Sequence, residues 1–91
     1  MKVHDLTKAS VAGKIHDLKC DKVPFWAVYD GTKKAEFRIN DRDYQVGDHL
    51  VLCEYQDGKK LNNELLVRIT HMQTGYGIPD GYVMLSFAVC W

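Results

Sequence analysis

Between residues 35 and 40 apolar and polar side chains alternate: Ala35, Phe37 and Ile39 on one parity, Glu36, Arg38 and Asn40 on the other. A period of two is the mark of a half-buried strand. The pattern predicts the apolar set turned to a core and the charged set turned to water or a ligand. Lys33 and Lys34 precede the strand and Asp41, Arg42 and Asp43 follow it, so cationic and anionic groups converge on one short stretch. Upstream, residues 14–19 read as a first strand. Residues 24–31 read as a short helix, with Pro24 in the first turn and Gly31 just beyond the end, the asymmetry expected of helix termini. Phe25, Val28 and Tyr29 share one side of it, a face suited to covering the end of a barrel.

Downstream, residues 45–48 form a predicted turn that delivers the chain into residues 49–55, apolar on both parities and therefore expected in the middle of a sheet. Asp57-Gly58 signals a further turn. Residues 65–72 are the next predicted strand, the glycine-rich residues 73–81 a loop, and residues 82–91 the last strand. The spacing of parallel βαβ units is absent. These elements predict an α+β, mainly β fold: a small, mostly antiparallel, partly closed β-barrel of about five strands with one short helix. Residues 1–13 show weak periodicity and are set apart as an N-terminal extension, leaving 14–91 as the domain.

Composition narrows the function. A chain of 91 residues with 46% hydrophobic side chains supports one modest core. Twelve basic residues balance twelve acidic ones, which excludes nucleic-acid binding by bulk positive charge; any such binding must be local and pocket-like. Cys20, Cys53 and Cys90 have neither pairing nor metal-type spacing, and Cys53 and Cys90 stand in apolar runs as small hydrophobes. A reducing, cytoplasmic setting fits that usage. With no run of roughly 18 to 20 apolar residues and no apolar leader, no membrane association is expected. The histidines share no ligand spacing with one another or with cysteine, so neither a metal nor another cofactor is predicted.

The ordered set of motifs is more specific than any one of them. His16-Asp17-Leu18-Lys19, the helix ending in Gly31, Lys33-Lys34-Ala35-Glu36-Phe37-Arg38, residues 40–48, then Leu50, Leu52, Glu54 and Tyr55, and finally Gly75-Tyr76-Gly77-Ile78 and residues 81–86 resemble the ASCH domain. The likeness is to the short bacterial and phage branch of ASCH-like proteins, and it runs from about Ile15 to Phe87. It implies a barrel related to the PUA domain, a fold associated with RNA binding. In that superfamily the helix and a Gly-x-Lys-x-x-Glu-x-Arg motif line a cleft for RNA or a nucleotide-like ligand; here the motif is Gly31, Lys33, Glu36 and Arg38. One ASCH subgroup is similar to a small amidohydrolase that deacetylates N4-acetylcytidine with a Lys, a Thr and a Glu. Lys33 matches its lysine, Glu36 stands where the threonine belongs, and the later glutamate has no counterpart.

Each candidate has a functional and a structural alternative. Lys33 and Arg38 suit a phosphate or carboxylate, the one as a point charge and the other as a fork; otherwise they line a solvated strand face, with an ion pair to Glu36 worth at most about 1 kcal/mol. Glu36 suits acceptance of a hydrogen bond from an exocyclic amino group, as carboxylates do with cytosine, or, with Lys33, hydrolysis. Arg42 is the candidate for the ligand rim among turn-forming neighbours. Lys19 and His16 fall on opposite faces of the first strand, and Lys19 lies nearer the cleft. Trp26 and Tyr29 either stack a base or bury the helix, while Tyr76, in the glycine-rich loop, is the better stacking platform. No Ser-His-Asp or Cys-His arrangement is signalled, and Gly75-x-Gly77 is no phosphate-binding fingerprint. Three readings follow: an RNA- or nucleotide-binding module, an amidohydrolase on a modified nucleoside, and an accessory domain with a protein partner.

Overall fold

The computed structural model describes residues 13–91; apart from Gly13, the expected extension lies outside the described residues. Strand β1 (Ile15–Asp21) turns His16, Leu18 and Cys20 inward and Asp17, Lys19 and Asp21 outward. Helix α1 (Lys22–Tyr29) follows directly, with Pro24 in its first turn and Phe25 and Val28 fully buried. Tyr29, on the last turn, is 40% exposed, its ring edge-on to Trp26 and Trp91. Only the Phe25 and Val28 part of the predicted face is therefore buried against the sheet. Gly31, at φ +87°, ends the helix in the left-handed region that glycine enters without a steric penalty. The Ala27 carbonyl then accepts the N–H groups of both Thr32 and Lys33.

Strands β2 (Ala35–Ile39), β3 (His49–Gln56), β4 (Lys59–Gln73) and β5 (Tyr82–Val89) complete a five-stranded sheet of order β1-β3-β4-β5-β2. The β1/β3 pair is parallel and the others are antiparallel. The sheet curls into a half-barrel, mostly β with one short helix, and leaves β1 and β2 as its two edges. Asp57 and Gly58, both at positive φ, form the tight turn between β3 and β4. That turn sends the chain straight back into pairing, Tyr55 against Lys60 and Gln56 against Lys59. β4 consequently starts six residues earlier than the apolar pattern predicts, because residues 59–64 are mostly polar yet are held by a hairpin.

Inside the curl, Leu18, Leu50, Leu52, Leu65, Val67 and Leu85 form the centre of the core, with Phe25 of α1 packed on them. Val51, Cys53 and Leu66 make a smaller cluster on the other face of β3, joined by Ile15, Tyr55 and Cys90. β3 is thus buried on both sides, as its pattern predicts. No helix among the described residues is long and apolar enough to cross a membrane.

Candidate functional site

In an antiparallel pair, directly opposed residues share a face. Glu36 lies opposite Leu85 and Arg38 opposite Val83, and Leu85 and Val83 are core residues with no exposure. The charged parity of β2 therefore faces into the half-barrel. The apolar parity faces out: Phe37 is 47% and Ile39 53% exposed, with the Phe37 ring stacked on Tyr82 at 5.2 Å. This reverses the orientation expected from alternation. The reason is position in the sheet. β2 is an edge strand beside an open seam, so its inner face borders polar backbone as well as core, and hydrophobicity alone does not select which face turns in.

Among the described residues the outer edges of β1 and β2 pair with no further strand, and the seam lies between them. Arg38 Nη1 donates to the Lys19 carbonyl at 3.4 Å, and Arg42 Nη1 donates to the Asp17 carbonyl. The two guanidinium groups thereby serve edge carbonyls that a neighbouring strand would otherwise satisfy. At the head of β2, the Lys33 ammonium donates to the Ala35 carbonyl and stands 3.5 Å from Glu36 Oε2. The Glu36 side chain is 17% exposed, and its Oε2 is buried without a hydrogen-bond partner. The Cys20 thiol, on the inward parity of β1, feels these charges. Burial pushes this thiol up to about 11, Glu36 adds to the rise, and Lys33 and Arg38 oppose it. Tyr44 is also raised, chiefly by burial of its hydroxyl, with the Arg38 guanidinium beside it the main opposing influence.

Two further polar groups lie deep in the fold and are fully engaged. Glu54, 2% exposed, accepts from Trp26 Nε1 at 2.7 Å and from Asn63 Nδ2 at 3.1 Å. Trp26 thus ties the helix to β3 through its polar edge. Asp48 accepts from His16 Nε2 at 2.9 Å and from the Lys14 and Gln45 N–H groups. Burial would raise the Asp48 carboxyl, but these hydrogen bonds and the His16 charge outweigh it and hold the carboxyl below its ordinary value.

The matched family covers this whole arrangement: residues 15–87 match the family described as Domain of unknown function (DUF3850). The chain belongs to the DUF3850 family. Over 72 residues it is also 38% identical to the uncharacterized 12.9 kDa protein in the GpA 3′ region of Escherichia phage P2, a match spanning 79% of this chain and 66% of that protein. The chain therefore spans slightly less than two thirds of the length of this relative.

Within the DUF3850 domain, the fold brings Lys33, Glu36 and Arg38 together and leaves the other sequence candidates apart. Arg42 sits on the same seam but farther along, bonded to β1 and 4.0 Å from Asp41. Lys19 turns outward, its ammonium 5.3 Å from the centre of the Tyr55 ring, because alternation in β1 gives the inward places to His16, Leu18 and Cys20. Tyr76 is 93% exposed in the β4–β5 loop, which meets β2 at its Asn40 end, whereas Lys33 precedes the opposite end of that strand. Sequence reasoning missed Cys20 and Tyr44. Cys20 shares the parity of Leu18 in β1, a signal that was available; Tyr44 sits in an irregular segment between β2 and β3, where no periodicity marks an inward position. Among the described residues no group of three or more His, Cys, Asp or Glu side chains is placed to hold a metal ion.

Proposed function

We propose that this DUF3850 domain is an RNA- or nucleotide-binding module, related to ASCH domains and their PUA-like barrels, that reads its ligand with Lys33, Glu36 and Arg38 at the β1/β2 seam. The observation carrying this reading is the inward Glu36 carboxylate, 17% exposed and paired with the Lys33 ammonium at 3.5 Å, on the same face of β2 as the Arg38 guanidinium. An exocyclic amino group of a base is a suitable donor to such a carboxylate, while the cations suit a phosphate or carbonyl oxygen. The module acts in the cytoplasm, without a cofactor.

Binding ranks ahead of hydrolysis because Lys33 donates to the Ala35 carbonyl and is ion-paired with Glu36 as an ammonium, whereas a nucleophile or base needs a free lone pair. The test is a chemical-shift titration at moderate salt with cytidine, N4-acetylcytidine and short single-stranded and duplex RNAs. Shifts should cluster at Lys33, Glu36 and Arg38, and Glu36→Gln should weaken binding about tenfold, as expected for a hydrogen bond to a charged group. Free acetate in the N4-acetylcytidine sample would replace this reading with the amidohydrolase. A silent spectrum for every ligand would overturn both and leave a protein partner.

A further inference from the structure

A cavity of about 460 Å³ opens beside the motif, between the end of α1, residues 30–34 and the end of β5. Its volume is in the range of small-ligand sites. Val28, Phe87 and Val89 form the apolar side, Tyr29 and Trp91 supply aromatic rings, and Lys33 and Lys34 supply positive charge. The carboxylate in the lining, Asp30, already accepts two hydrogen bonds from Thr32. Trp91 is 82% exposed while standing edge-on to Tyr29 at 5.4 Å. A ring that merely sealed the helix end would be largely buried; this one keeps most of its surface open to a ligand. Flat rings with two ammonium groups beside them complement a flat, aromatic, anionic group. Lys33 lines this cavity and also pairs with Glu36, so the cavity adjoins the seam.

We infer that this cavity is a second nucleotide subsite, so that the ligand is a single-stranded RNA of at least two residues. One base is read by Glu36 at the seam, its neighbour stacks on Trp91 and Tyr29, and the phosphate between them lies against Lys33 and Lys34. The inference rests on the nucleotide-binding reading of the seam. Stacking of a base on an aromatic side chain is sequence-tolerant and needs an unpaired strand; a duplex therefore gains nothing from the cavity.

The test compares the four ribonucleoside 5′-monophosphates with ribodinucleotides containing the best of them, and with a short RNA duplex. Each is titrated into the full chain by tryptophan fluorescence and chemical shift. The best dinucleotide should bind about tenfold tighter than its mononucleotide. Trp91→Ala should reduce that gain without changing mononucleotide affinity, Lys34→Ala should weaken the dinucleotide through the lost phosphate contact, and neither should change the far-ultraviolet spectrum. Equal affinities for mono- and dinucleotide, or a gain that survives both substitutions, would overturn the second subsite. If the mononucleotide still perturbs Glu36 in that case, the seam reading stands; if no mononucleotide perturbs Glu36, the seam reading itself fails.

Discussion

Asp48 shows how a single side chain couples this fold to pH. Its carboxylate holds the start of β1 through the Lys14 N–H, the β1 interior through His16, and the turn before β3 through the Gln45 N–H. An ionised carboxylate accepts only, so His16 Nε2 must be the donor. Because the folded state holds this carboxyl below its ordinary value of 3.8, the unfolded state binds the proton more readily. The stability it contributes is then fully present above about pH 4 and drains away as the pH falls through the lower, folded value. Urea midpoints measured from pH 7 down to pH 2 should therefore decline in the acid range. Asp48→Asn should lower stability at pH 7 by about 1.5–3 kcal/mol, the scale of hydrogen bonds to a charged group, and should flatten the acid decline. An unchanged decline in that variant would assign it to other carboxylates. The Asp48 position was legible as a turn residue, from Gly47-Asp48 ahead of an apolar strand. Its partner was not, because His16 is separated from it by 32 residues and only the β1/β3 pairing brings them together.

At the scale of elements, the turn after α1 decides where the motif lysine stands. Gly31 takes φ +87°, and a Cβ added there would meet nothing within 4 Å, so the demand for glycine is conformational and not steric crowding. Gly31→Ala should cost about 1–2 kcal/mol, the left-handed penalty of an L-residue. It should also weaken nucleotide binding, because the Ala27 carbonyl fixes the N–H of Lys33 immediately beyond the turn. Gly58, at φ +76° in the β3–β4 turn, is equally open and is the control: Gly58→Ala should lose similar stability with no change in affinity. Denaturation curves and the nucleotide titration read both, and equal binding losses would detach the turn from the site. The helix, its glycine stop and the central strand were all legible, since each carries a local signal. The length of β4 was not, because polar residues 59–64 take their extended form from the hairpin partner.

The whole molecule is electrically neutral in formal charge, and Lys33, Lys34, Arg38 and Arg42 are the cations that the seam and the neighbouring cavity offer. Few phosphates can be neutralised at once, and for single strands each contributes about −0.7 to the slope of log affinity against log salt. RNA affinity should therefore fall with a slope no steeper than about −2, measured between 50 and 300 mM salt by titration; a steeper slope would mean a wider basic surface and would count against a local cleft. The sequence by itself determined a mainly β fold, a short helix with its stop, the turns, and a doubly buried central strand. Each of these follows from nearest-neighbour chemistry: period, turn residues and caps. Tertiary structure alone decided that the charged face of β2 turns inward, that Cys20 comes under the charges of Lys33, Glu36 and Arg38 and Tyr44 under that of Arg38, and that Lys19 and Tyr76 stand away from them. Those outcomes depend on which strands become edges of the curled sheet. Edge position arises from pairing between distant segments, and alternation within one strand carries no record of it.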